Sequence, residues 1–364
     1  MNIQSILDFL ENIAPSAYQE SYDNAGLVVG DAKSALSNVL ITLDITEEVI
    51  EEAISRNCNL IIAHHPILFK AIKSLKGNNY VERVLLKAIK NDIALYAAHT
   101  NLDNVWGGVN FKIAEILALQ NPQILVPKKQ ILSKLTTFCP ASYQETILEA
   151  LWKAGAGNIG NYEQCSFVVE GIGTYRPNEK AQPFIGEHHK LERAQELRLE
   201  VIFPTFLQNK ILMALRETHP YEEIAYYLHN LENTHQEVGA GLLAELPQAM
   251  PERDFLAYLK EKMQLSHIKH TKLLNKPIQK IAICGGSGFF LLKNAIQAKA
   301  DIFITADIKY HEFFDAENKI ILADIGHYES EIFTKDLLFE VLSKKFPNIA
   351  FLITNTNTNP VYYF

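Results

Sequence analysis

One strand and helix rhythm occurs twice in this chain, near its two ends, and at a fixed separation. The apolar runs "NVLITLD" (38–44), "CNLIIAHH" (58–65) and "IALYAAHT" (93–100) are separated by the helical patterns "TEEVIEEAISRN" and "NYVERVLLKAIKN". The last third repeats the plan with "KIAICGG" (280–286), "ADIFITAD" (300–307) and "KIILADI" (319–325), separated by "GFFLLKNAIQAKA" and "KYHEFFDAEN". Such alternation predicts an α/β fold whose sheets are covered by crossover helices. "VLITLD" begins at 39 and "IAICGG" at 281, while "LIIAHH" begins at 60 and "IFITAD" at 302, so both separations are 242 residues. Two strands sharing one offset indicate two copies of one plan, with duplication as the hypothesis. The third strand is offset less, because its connecting helix is shorter.

Between the copies, residues 128–236 have a different character: short strands, glycine turns and one helix, "FLQNKILMALRET". We expect a small inserted α+β module there, leaving a discontinuous core of residues 1–127 and 237–364. The edges fall at the Pro-Lys-Lys of 127–129 and in "NTHQEVGAGLLAELP". At the N-terminus, "MNIQSILDFLENIAP" spaces Ile3, Ile6, Leu7, Leu10 and Ile13 as an amphipathic core helix. It carries Asp8 and Glu11 where a signal peptide would be apolar.

Composition narrows the function classes. A net charge of -8 and a pI near 5.9, with no basic run, argue against nucleic acid as a partner. The absence of an 18-residue apolar run argues against a membrane span. The four cysteines are scattered, without the spacing of a disulfide framework or a zinc knuckle. A cytoplasmic location is expected.

Ligands of open α/β sheets sit at the carboxyl ends of the strands, and here those ends are rich in metal-binding side chains. The second strand ends in His64-His65-Pro66, the third leads to His99 and Asp103, and the last to His327 and Glu331. An i, i+4 spacing puts His327 and Glu331 on one helix face. Asp103 adds an oxygen ligand, and the mixed donor set suits zinc, manganese, iron, cobalt or nickel better than calcium. Adjacent strand residues point to opposite faces. Pro66 keeps His65 extended, so the two rings diverge and suit two ions, about 3.5 to 4 Å apart with a bridging carboxylate.

Other polar strings have plainer explanations. "GGSGFF" (285–290) could cradle a phosphate, or could simply permit a tight turn. His188-His189 lies in a charged stretch and reads as solvated surface, while caps, turns and surface charge account for most of Asp23, Asn24, Asp307, Lys309 and His311.

The strings "AHHPILF", "HTNLD", "GGSGF", "TADIKYH" and "GHYESE" resemble the Nif-three-like family, also called GTP cyclohydrolase I type 2 homologs or dinuclear metal-centre proteins. "GAGNIGNYEQCSF", "GTYRP", "PFIGE" and "HPYEE" are similar to the extra domain of its longer members, itself like the PII and CutA fold. One departure is Ala306, where the family string would carry glycine. The resemblance implies His64, His65, Asp103, His327 and Glu331 as ligands of two divalent ions per chain, zinc first, with Glu331 bridging. It also implies a toroidal homo-oligomer, a hexamer. Two function classes follow. One is a metal-dependent hydrolase of a nucleotide or other phosphate-containing small molecule, with His99 or Asp307 as proton carrier. The other is a ring-forming regulatory or binding protein in which metal serves structure or sensing.

Overall fold

Leu60, Ile61, Ile62 and Ala63 have no solvent exposure, as expected of a strand covered on both faces, where apolar residues run on instead of alternating. Truncating one of these isoleucines to alanine would cost about 2–5 kcal/mol. The computed structural model describes residues 1–363. In it this run is β3 (Cys58–Ala63), the centre of a sheet with β1 (Gly26–Val29), β2 (Asn38–Thr42) and β4 (Ala94–Ala97). The order is β1-β4-β3-β2, parallel except for the edge strand β1.

The crossover helices form where the sequence places both caps and apolar faces. Helix Glu47–Ser55 starts at Thr46, whose side chain accepts from the Val49 amide, and it buries Val49, Ile50 and Ala53. Helix Tyr80–Lys90 starts at Asn79, carries Lys87 and Lys90 in its last turn, and buries Val84, Leu85 and Ala88. Both pack on the apolar side chains of β3 in one core.

The chain leaves this unit along β5 (Gln120–Lys129). The second unit, residues 127–237, holds β6 (Leu132–Cys139), β7 (Phe167–Tyr175), β8 (Glu192–Pro204) and β9 (Tyr226–Leu231) in an antiparallel sheet of order β7-β8-β6-β9. Helices Gln144–Ala154 and Gln208–Thr218 follow β6 and β8, giving a βαββαβ arrangement. The unit therefore contains two helices, where one was expected. The missed one buries Ile147, Leu148 and Leu151 and ends at Gly155 in the left-handed region. Residues 234–250 form one strand, β10 (Thr234–Met250), and the division of the chain into units falls within it, after Glu237.

The last third contains β11 (Lys269–His270), β12 (Ile278–Ile283), β13 (Ile302–Thr305) and β14 (Ile321–Asp324). The order β11-β14-β13-β12 again has one antiparallel edge strand, and β10 and β5 extend the sheet beyond β12. The registers coincide: Val39 faces Leu60 as Ile281 faces Ile302. The pair Leu60 and Ala94 corresponds to Ile302 and Ile321. The repeat seen in the sequence is thus a repeat of strand pairing. "KYHEFFDAEN" differs from its expected helix, forming a 3-10 turn over Tyr310–Ala316 that ends at Glu317 in the left-handed region. The closing strand β15 (Phe351–Ile353) crosses back to pair with β2 in the first sheet. The two sheets belong to one compact unit, residues 1–126 with 238–364.

Candidate metal centre

The ladder continues past β3: the His64 and His65 amides donate to Thr42 and Leu43 carbonyls. Both residues are thereby tied to the end of β2, with their ring centroids 5.0 Å apart and inclined by 48°. His64 is fully buried, and its Nδ1 sits 2.8 Å from the Ala98 carbonyl, an acceptor, so it must carry the proton. The lone pair on Nε2 then points at Asp103 Oδ1, 3.6 Å away, and Glu331 Oε1, 3.8 Å away. Neither His64 Nε2 nor Asp103 Oδ1 has a hydrogen-bond partner, although both are buried. Two converging acceptors without donors are costly unless a cation lies between them.

The second group forms around the other Glu331 oxygen. His65 Nε2 lies 2.9 Å and His327 Nε2 3.1 Å from Glu331 Oε2, and the two nitrogens are 3.2 Å apart. His65 Nδ1 meets Asp44 Oδ1 at 2.7 Å, and His327 Nδ1 meets Asp307 Oδ2 at 2.6 Å. This is the carboxylate–histidine arrangement that orients imidazoles toward a metal. His327 opens helix His327–Glu331 after Gly326, which places Glu331 one turn on. Among the described residues, His65, His327 and Glu331 form one group able to hold a metal ion, and His64, His65 and His99 another.

The electrostatics of the group suit a cation. Burial disfavours a charged His65, yet hydrogen bonds to Asp44 and Glu331 push it up to about 9. Burial is likewise outweighed at His327, which Asp307 and Glu331 push up to about 11. Asp103 is pushed up by burial and then by the Glu331 charge. Glu331 resists its own burial, because the surrounding histidines hold it well below the usual carboxylate range. Carboxylates gathered around imidazoles in this way demand protons or a cation.

His99 lies beside this centre, its ring centroid 5.2 Å from that of His64. Its Nδ1 is fixed at 2.7 Å by Asp23, which also accepts from the Thr100 amide and hydroxyl. Burial opposes the charge on Asp23, but His99 and Thr100 hold it at about 2. Asp307 faces His327 and so has a partner of its own. The doublet His188-His189 is exposed in the second unit, as its charged context suggested.

"GGSGFF" has a role other than phosphate binding. The amides of Gly285, Gly286 and Gly288 donate to Asn110 Oδ1, Ser330 Oγ and Thr305 Oγ1, so these three donors are already engaged. Gly286 adopts φ +60°, and a Cβ there would lie 2.2 Å from Glu331 Oε1. The glycine makes room for Glu331. Sequence reasoning missed this contact and also Asp44, although Asp44 sits at the end of β2 and the strand-end rule could have found it.

The centre opens into a cavity of about 750 Å³ whose walls include Tyr22, Phe69, Lys269, Phe290 and Tyr363. That size suits a small molecule. No described helix is long and apolar enough to cross a membrane.

Residues 1–360 match the family Duf34/NIF3 (NGG1p interacting factor 3). A Bacillus subtilis protein named GTP cyclohydrolase 1 type 2 homolog is 37% identical over 99% of this chain and 98% of its own. A Bacillus cereus protein related to NIF3 shares the structure with a TM-score of 0.88 and 34% identity, covering 100% of this chain and 99% of that one. A Staphylococcus aureus protein does so with a TM-score of 0.79 and 31% identity, over 100% and 99%.

Proposed function

Because the chain belongs to the Duf34/NIF3 family, we propose that it is a dinuclear metal-binding hydrolase acting on a nucleotide or another small phosphate-containing molecule. The observation that carries this reading is the position of Glu331, with one oxygen toward His64, which also faces Asp103, and the other toward His65 and His327. His64 and Asp103 would hold one divalent ion, His65 and His327 a second, and Glu331 both. Zinc comes first for this donor set, ahead of manganese, iron, cobalt and nickel. Ions so held act as Lewis acids toward a phosphoryl or carbonyl oxygen and acidify water.

The chain's own residues supply the remaining steps. His99, with Nδ1 fixed by Asp23, is positioned to carry a proton on Nε2 at the cavity. Asp307, engaged by His327, is assigned to orienting that histidine and not to proton transfer. The cavity walls bind and orient substrate, and the relatives' name makes GTP one compound to test. The family resemblance also supports self-association into a ring, a hexamer, which sedimentation of the purified chain would check.

Metal content per chain, on protein purified without chelators, tests the reading together with hydrolysis of GTP and of generic phosphodiesters. Two ions per chain are expected, with hydrolysis lost on stripping and restored by metal. One ion or none would remove the dinuclear centre. Turnover unchanged in His64→Ala would remove the hydrolase.

A further inference from the structure

We propose that Thr358 is a positioning residue of the metal centre, carried there by the C-terminal strap 354–363 and acting on His65 through Asp44. Asp44 divides its carboxylate between two partners: Oδ1 meets His65 Nδ1 at 2.7 Å, and Oδ2 accepts from the Thr358 hydroxyl at 2.8 Å. The aspartate χ2 torsion is intrinsically broad. A carboxylate held by one bond can swing, while one held at both oxygens keeps its plane, and with it the aim of the His65 ring.

The strap is built to deliver that hydroxyl. Beyond β15, the Thr354 amide continues the ladder to Ile41 at 2.9 Å. Glu52, on helix Glu47–Ser55, then gathers the Thr354 hydroxyl, the Asn355 amide at 2.9 Å, and the Thr356 amide and hydroxyl at 3.2 and 2.8 Å. Thr358 follows, almost fully buried. Asn359 then reaches Glu329 at 3.2 Å, and the Tyr363 ring lies 3.9 Å from that of His267. Pro360, Val361 and Tyr363 form part of the cavity wall. The strap thus runs from the first sheet to residues of the last third, with Thr358 at the crossing.

This proposal rests on the metal-binding reading above, and cobalt titration separates the two. Full-length protein, stripped of metal, is titrated with Co²⁺ and followed by bound stoichiometry and the visible spectrum, which reports ligand geometry. Wild type should take up two ions. Thr358→Val should bind one of them about threefold more weakly, less than the roughly tenfold of losing a group bonded to the ligand itself, because Thr358 acts through Asp44, with an altered spectrum. Thr358→Ser should restore both. Glu52→Gln, which loosens the strap away from the centre, should weaken the same ion by less. Wild-type isotherms and spectra from Thr358→Val and Glu52→Gln would overturn the proposal and leave the metal centre standing. A wild-type protein that takes up no cobalt would overturn both.

Discussion

The two halves of the core share strand order and register, yet their strand ends carry different residues. At the 242-residue offset, Asp44 corresponds to Gly286, His64 to Ala306 and His65 to Asp307. In the first half the end of β2 supplies a carboxylate that holds His65, and the end of β3 supplies two imidazoles. In the second half the end of β12 supplies an absence, the missing Cβ of Gly286, and the end of β13 supplies Asp307, which orients His327. Neither half alone presents a complete donor set. The repeated scaffold fixes where side chains arrive, and the divergence of its strand ends produces one composite centre.

The largest effect should come from the residue that serves both groups. Glu331→Ala should abolish binding of both ions, more than 100-fold in affinity, in a metal titration followed by calorimetry. His327→Ala should spare the group around His64. Equal losses in the two variants would break the view that Glu331 alone is shared. Next comes the sharpest difference between the halves. Gly286→Ala adds a Cβ 2.2 Å from Glu331 Oε1 at a residue with φ +60°, so it should displace Glu331 and cost both ions with the ligand set intact. Unchanged binding there would mean that the glycine is conformational only.

A smaller effect is expected from the orienting carboxylates, one in each half. Asp44→Asn and Asp307→Asn should each weaken binding about tenfold. Both act on ligands that face Glu331 Oε2, through His65 and His327, so cobalt spectra should show the same ion affected in both. The ion at His64, whose Nδ1 is held by the Ala98 carbonyl, should be untouched. Loss at opposite ions would break the assignment of the two groups.

Much of this arrangement was legible in the sequence, because strand ends are local features. The apolar runs ending in His64-His65 and the i, i+4 pair His327 and Glu331 need no knowledge of distant partners. The second sheet's register could be read as an offset because β12 and β13 keep the spacing of β2 and β3. What escaped depends on residues far apart in the chain. Gly286 matters through a Cβ it lacks, and Thr358 through Asp44, 314 residues away; neither leaves a periodicity or a motif. Helix Gln144–Ala154 is a different case, since Ile147, Leu148 and Leu151 have the spacing of an amphipathic helix but run directly into a glycine-rich stretch that reads as turn.

The smallest expected effect concerns the strap, which joins the first sheet to the last third. Burial opposes the charge on Glu52, but the Thr354 hydroxyl, the Asn355 amide, Thr356 and Arg56 outweigh it and hold the carboxyl at about 2, against an ordinary 4.5. The folded value is the lower one, so ionised Glu52 stabilises the attached strap. That contribution is complete above the ordinary carboxylate range and disappears as pH falls toward 2. The Glu52 side-chain carboxyl carbon, followed by NMR in acid while the fold persists, should therefore titrate with a midpoint near 2. In Thr354→Val with Thr356→Val the midpoint should rise, because two hydroxyl donors are gone and only amides and Arg56 remain. A wild-type midpoint near 4.5 would show that the Glu52 carboxylate does not hold the strap. The join between the two halves would then not run through Glu52.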